Sequence, residues 1–221
     1  MTTRRQRVVI DGYSSGWSKV TSGVPQGSIL GPLLLLVYIN DFPLAVKCNC
    51  GLFADDSILH RKVTSESDCE DLQTDLHSAY DWCNSWLVTL KFEKSKVLHL
   101  SRSKDPYHHE YWLSDKRLSA VDHHKHLGVW LESSLSWDCH INYICAKANK
   151  ILGLIRRTFG PNNSEGVSTA YKTLVRPILE YGCQVWNPYL VKHIKSIESI
   201  QRRATRVICG SEKDYQERLK I

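Results

Sequence analysis

The chain has no apolar run long enough to cross a bilayer. Its longest, Ile29 to Ile39, falls well short of the ~20 residues that a spanning helix needs. It also has no Cys-x₂-Cys pair. Apart from Cys48-Asn49-Cys50, its 8 cysteines are scattered, so their spacing spells neither a zinc finger nor a secreted disulfide framework. His123, His124, His126 and Cys139 are a loose group of metal-ligating types without the spacing of a metal site. No signal peptide is expected either, because Met1-Thr2-Thr3-Arg4-Arg5 leads into a short strand and not into an apolar core. Reduced thiols in an intracellular compartment, cytoplasm or nucleus, are the expectation for such a chain, and secretion is not. Repeats and low-complexity segments are likewise missing. What remains is an ordinary globular composition over 221 residues, enough for one or two domains with a sizeable core. Charge is the uneven property. Residues 1–135 hold 15 Lys and Arg against 16 Asp and Glu, whereas residues 136–221 hold 14 against 7. The basic excess therefore lies in the C-terminal part, where a nucleic-acid backbone or merely a solvated helical surface would account for it.

Against this background, two adjacent acids stand out between short apolar runs. Gly51-Leu52-Phe53-Ala54 leads in and Ser57-Ile58-Leu59-His60 leads out, a pattern that predicts a β-hairpin with Asp55 and Asp56 at its tip. Adjacent carboxylates repel, so keeping both ionised favours a concentrated positive partner. Mg²⁺ suits this role because it prefers oxygen ligands, and solvated turn residues are the ordinary alternative. Just upstream, Ser22-Gly23-Val24-Pro25-Gln26-Gly27-Ser28 is a glycine-rich turn that runs into the apolar segment ending Tyr38-Ile39-Asn40-Asp41. Gly23, Gly27 and Gly31 allow close backbone approach, Ser28 can cap the helix, and the helix itself is expected to be buried.

Together these two stretches resemble the reverse transcriptase of non-LTR, LINE-type retrotransposons, in particular the Jockey and CR1-like groups. In that family the first is motif B, which contacts dNTP and template, and the second is the metal-binding motif C. The resemblance extends along most of the chain. Gln6 to Gly12 is similar to the hairpin before motif B, Trp86 to Leu100 to motif D, and His126 to Trp130 to motif E, the primer grip. Lys147-Ala148, Leu152-Gly153, Ile155-Arg156-Arg157, Leu174 to Tyr181, Val185-Trp186 and Gln201 to Ala204 follow the thumb. The family pattern is broken at Lys91-Phe92, where an Asn-Pro-like pair is common.

The resemblance implies an α+β fold. Residues 1–135 would form a partial right-hand polymerase palm, an antiparallel sheet with packed helices, and residues 136–221 a helical thumb. It implies two-metal nucleotidyl transfer from dNTPs to a DNA primer on an RNA template. The metal would be Mg²⁺, with Mn²⁺ as an alternative, held by Asp55 and Asp56. Lys94 would protonate the leaving pyrophosphate as a general acid. Pro25, Gln26, Gly27, Ser28, Phe53 and Ala54 would line the nucleotide and template. Leu127, Gly128 and Val129 would grip the primer, and Arg156, Arg157, Arg202 and Arg203 would follow the duplex backbone. The family has a further catalytic aspartate in motif A, upstream of motif B, together with the fingers. Asp11 sits in a hairpin turn and Asp41 ends a helix, so neither replaces that aspartate. The expectation is a fragment cut at both ends and inactive alone. The alternatives are a site completed by another exon or chain, and an RNA or RNA–DNA duplex-binding module without catalysis.

Periodicity fills in the frame. Cys69, Leu72, Leu76, Ala79, Cys83, Trp86 and Leu90 mark one face of a long helix that Thr64 or Ser65 can cap, placed to support the acidic hairpin. Val97 to Leu100 and His126 to Trp130 are expected to complete the sheet, with residues 101–115 as a loop. Three further stripes follow: Ile141, Cys145, Ala148, Leu152, Ile155; then Val167, Ala170, Tyr171, Leu174, Ile178, interrupted at Pro177; then Ile194, Ile197, Gln201, Ala204, Ile208, stopped by Gly210.

Overall fold

The computed structural model describes residues 4–21, 23–24, 27–103, 106–159, 163–210 and 214–218. Two compact units emerge, one made of residues 1–92 and 109–117, the other of residues 93–108 and 118–221.

The first unit begins with two exposed β-ribbons. Val9–Ile10 pairs with Tyr13–Ser14 across Asp11-Gly12, whose φ angles of 50° and 82° are what a two-residue type I′ turn requires. Arg5–Gln6 pairs with Ser18–Lys19 outside it. Helix α1 (Leu30–Ile39) follows. Ser28 Oγ accepts a hydrogen bond from the Gly31 N–H at 3.1 Å, but the N-cap position is Ile29, which makes no side-chain cap bond, so Ser28 sits one residue before the expected place. The expectation that α1 is buried does not hold. Leu30, Leu33, Leu36 and Val37 are all exposed, and Gly31 is its buried residue. The helix is apolar on every side, with Leu34, Leu35 and Ile39 half-buried, and near its end the Tyr38 ring meets Trp86 edge-on at 5.5 Å.

The acidic hairpin comes next, with β1 (Asn49–Phe53) and β2 (Asp56–His60) in register from Asn49↔His60 to Phe53↔Asp56. Helix α2 (Glu66–Ser85) opens on a capping box: Ser65 Oγ accepts from the Asp68 N–H, and the Asp68 carboxylate accepts from the Ser65 N–H at 3.0 Å. The expected stripe holds as far as Cys83 and then stops. Leu87 turns left-handed at φ 56°, and the Val88 N–H returns to the Cys83 carbonyl at 2.8 Å, a helix-ending arrangement that leaves Trp86 exposed. Phe42, Val46, Ala79 and Cys83 form the unit's core, with Cys50, Leu52 and Leu59 of the hairpin packed against it.

In the second unit, β3 (His123–His126) and β4 (Val129–Glu132) form a hairpin. Its tip, Leu127-Gly128, has φ of 46° and 89°, again the type I′ pattern. Lys96–Val97 pairs with Ser119–Ala120 in parallel. A single antiparallel sheet therefore does not form: among the described residues every sheet has two strands, because each ribbon pairs only within its own hairpin or with one short partner.

The rest is helical: α3 (Asp138–Phe159), α4 (Ser164–Ala170), α5 (Arg176–Glu180), α6 (Cys183–Trp186), α7 (Val191–Cys209) and α8 (Tyr215–Arg218). The α3 stripe buries as expected, through Ile141, Ala148, Leu152 and Ile155. The second stripe changes register. Val175 and Leu179 are buried instead of Leu174 and Ile178, because residues 171–175 form a π-helical turn in which the Arg176 N–H bonds back five residues to Tyr171. One extra residue in that turn moves the inward face along by one, and it falls just before Pro177, which cannot donate a hydrogen bond. In α7, Ile200 and Ala204 face the core, Ile194 is exposed, and Gly210 ends the helix as expected. Among the described residues, no helix is long and apolar enough to cross a membrane.

Candidate functional site

The site is built on the β1–β2 hairpin. Side chains alternate along a strand, so Cys50, Leu52 and Leu59 face the α2 side, while Gly51, Phe53, Asp56 and Ile58 face away from it. Gly51 is glycine for a steric reason: a Cβ there would lie 2.9 Å from Ile58 Cγ2. Ala54 and Asp55 make the two-residue turn, and Ala54 carries φ 52° in the left-handed region that glycine favours. The strain sits at the tip itself. Phe53, Ala54, Asp55 and Asp56 are all exposed. Among the described residues, neither carboxylate has an ion-pair or hydrogen-bond partner, so two negative charges stand together unneutralised.

What fixes this hairpin is a residue outside every sequence motif. Asp75, buried on α2, accepts from the Lys47 and Cys48 N–H groups at 2.8 Å each, clamping the chain immediately before β1. Arg61, just after β2, lies 3.8 Å from both Asp68 and Asp75 and is hydrogen-bonded to Asp71. Both ends of the hairpin are thus tied to one helix. Burial, and then the Asp75 charge, pushes the Cys48 thiol up to about 11, so it is not a nucleophile at neutral pH. The signal in the sequence is an aspartate spaced between Leu72 and Ala79 on the apolar stripe, since buried acids are rare without a structural duty.

The other expected residues fall as follows. Gly27 has φ 77° with open space where a Cβ would be, so its backbone, more than its packing, demands glycine. Ser28 is half-buried beside it, and Pro25 and Gln26 lie outside the described residues. Lys94 is exposed in a turn of the second unit and is not part of the acidic hairpin's unit. Leu127, Gly128 and Val129 form the tip of the β3–β4 hairpin, with Val129 buried. Gly128 is backed by a ring: its missing Cβ would meet Tyr181 Cε1 at 2.9 Å.

Arg156 and Arg157 are exposed in the last turn of α3, where cations suit the helix dipole. Arg202 and Arg203 are exposed on α7. Arg202 stacks 4.7 Å over Tyr215, and Arg203 hydrogen-bonds Asn149 of α3. Helices α3 and α7 are joined again at their other ends, where Asp138 bonds Lys192 and His193. Lys192 first, then His193 and Ser136, hold the Asp138 carboxyl well below the usual carboxylate range. Among the described residues no three His, Cys, Asp or Glu side chains converge as a metal centre, His123, His124, His126 and Cys139 included, and all 8 cysteines are free.

A family model described as reverse transcriptase (RNA-dependent DNA polymerase) matches residues 2–137. The probable RNA-directed DNA polymerase from transposon X-element of Drosophila melanogaster is 31% identical over 205 residues, covering 87% of this chain and 22% of that protein. The RNA-directed DNA polymerase from mobile element jockey of the same species is 26% identical over 221 residues, covering 94% and 24%. A third relative, the probable RNA-directed DNA polymerase from transposon BS, is 26% identical over 204 residues. The chain spans less than a quarter of the length of these curated relatives. No solved structure matches it significantly.

Proposed function

We propose, from the premise that this chain belongs to the reverse transcriptase (RNA-dependent DNA polymerase) family and is jockey-like within it, that the Asp55–Asp56 tip is one wall of a nucleotidyl-transfer site. The observation that carries this is the pair of exposed, unpartnered carboxylates at a strained turn that α2 holds at both ends. Two adjacent oxygen donors without a cation suit a hard divalent ion, Mg²⁺ or in its place Mn²⁺. They fill only part of an octahedral shell, leaving positions for water, substrate phosphates and a further carboxylate. The ion, when bound, would supply activation of the primer hydroxyl and neutralisation of the triphosphate.

The chain's own residues would do the placing. Asp55 and Asp56 present fixed negative charge, and the positive-φ backbone at Gly27, next to Pro25, Gln26 and Ser28, lets the incoming dNTP and template approach, with Phe53 and Ala54 flanking. Lys94 would donate a proton to the leaving pyrophosphate. Leu127, Gly128 and Val129 would hold the primer end, and Arg156, Arg157, Arg202 and Arg203 the phosphates of the RNA–DNA duplex. Residues 1–135 then serve as palm and 136–221 as thumb, acting inside the cell, where template RNA is found.

Two carboxylates do not make a complete two-metal site, and much of the acceleration in such enzymes comes from pre-placed charge. These 221 residues alone are therefore expected to bind but not to polymerise. Primer extension on an RNA template with Mg²⁺ tests this directly. Product that disappears in Asp55→Asn would overturn it. Mn²⁺ titration followed by electron paramagnetic resonance tests the ion site: binding that is unchanged in the Asp55→Asn/Asp56→Asn double variant would remove it. The basic excess of residues 136–221 favours a second reading, duplex binding without catalysis, which predicts the same affinity with both acids replaced.

A further inference from the structure

The segment Leu174 to Tyr181, with Val185 and Trp186, has no part in the chemistry above, yet it closes on the β3–β4 hairpin. The Tyr181 hydroxyl donates to the Leu127 carbonyl at 2.9 Å, across 54 residues of sequence. Its ring lies against Gly128 so closely that a Cβ there would be 2.9 Å from Cε1. The next residue, Gly182, takes φ 66°, and a Cβ on it would come within 3.3 Å of Val129 Cγ2. Behind this corner, the buried Trp186 donates its indole N–H to the Tyr181 carbonyl at 2.8 Å. The Trp186 ring also packs on buried His140 at 5.1 Å, and His140 Nδ1 accepts from the Trp130 N–H of β4 at 3.3 Å. The hairpin is thus held at its tip by Tyr181 and along its strand by His140, and both holds are braced on Trp186.

Leu127 is a non-glycine residue in the left-handed region at φ 46°, a conformation that a branched side chain disfavours and that relaxes unless neighbours impose it. The Tyr181 hydroxyl is what pins its carbonyl. We infer that Tyr181 is a positioning residue: it fixes the angle at which the Leu127–Gly128 tip meets the terminal nucleotide of the primer, and so couples recognition of the primer end to the helical region. The inference rests on the primer-grip reading of that tip.

The test uses the 221-residue chain and two labelled RNA–DNA duplexes of equal length, one with a recessed primer 3′ end and one blunt, read by fluorescence anisotropy. Wild type should prefer the recessed end. Tyr181→Phe, which keeps the ring and removes one hydrogen bond, should reduce that preference about threefold to tenfold. Its blunt-duplex affinity should stay at the wild-type value while the melting temperature falls by no more than the few degrees one hydrogen bond is worth, whereas a purely structural role would lower both affinities together. Gly128→Ala, which presses on the same ring, should lose the same preference. An end preference kept in Tyr181→Phe overturns the inference alone. Wild-type binding without any end preference overturns the primer-grip reading and the inference with it.

Discussion

Replacing Asp75 by Asn tests the view that the acidic hairpin is held from below. The buried carboxylate accepts two consecutive backbone N–H groups, each at 2.8 Å. Asparagine offers one oxygen to one of them and turns an NH₂ group toward the other, setting donor against donor. Hydrogen bonds to a charged group contribute about 1.5–3 kcal/mol, and a buried donor left without a partner costs about 1–3 kcal/mol. Loss of one such bond should therefore destabilise the first unit by about 2–3 kcal/mol, and Asp75→Ala, which also strips Arg61 of a partner, by about 3–5 kcal/mol. That is a large share of the stability of a unit with so few fully buried apolar side chains. Hydrogen exchange resolved to the Lys47–Cys48 amides is the local assay, with urea unfolding as the global one. About 2–3 kcal/mol corresponds to roughly 30- to 150-fold faster exchange when exchange follows the opening equilibrium. Exchange within about threefold of wild type, together with an unchanged urea midpoint, would refute the clamp.

Relief of the tip strain is a second test: Ala54→Gly should stabilise the hairpin by about 0.5–1 kcal/mol in urea, the left-handed cost less glycine's extra chain entropy, and a loss of stability would argue against the φ of 52°. The third concerns pH. Burial, and then the Lys125 charge, lowers the His140 pKa, so the unfolded state binds the extra proton first. Stability of the second unit should be full above about pH 6.5 and fall as pH drops toward the lowered folded value, at up to ~1.4 kcal/mol per pH unit. His140→Gln, which can still accept from Trp130, should flatten that part of the curve; an identical curve would refute the assignment. Finally, changing Arg156, Arg157, Arg202 and Arg203 to Ala should weaken duplex binding at all sequences and make the salt slope shallower by about 1 for each phosphate that is no longer neutralised. A slope left at its wild-type value would take these arginines out of the interface.

Much of this is legible in the sequence because turns and caps are local. Asp11-Gly12, Ser65 with Asp68, and Gly210 each dictate backbone geometry within a few residues, and each does what its sequence says. The acidic hairpin is legible for the same reason. The remainder depends on information that periodicity does not carry. The π turn at 171–175 moves the buried face from Leu174 and Ile178 to Val175 and Leu179, and no regular spacing encodes an irregular turn. Asp75 shows in the sequence only as an acid on the apolar stripe; what it holds does not show, because its partners are backbone groups 27 and 28 residues away. The exposure of α1 is hidden because a run of leucines says that a helix should be covered, and says nothing of what packs on it.

That bare helix changes how every binding curve on the isolated chain must be read. A net charge of +6 repels copies from one another, and the exposed apolar side chains of α1 would attract them. Added salt screens the repulsion, with a Debye length of about 10 Å at 0.1 M, and leaves the attraction intact. The titration that detaches a polyelectrolyte from arginines would therefore also favour association of copies through α1, and association would change the apparent affinity as well. A slope measured at one protein concentration mixes the two. Measured at several dilutions, or with Leu33 and Leu36 changed to Gln, the colloidal part drops out and the phosphate part remains.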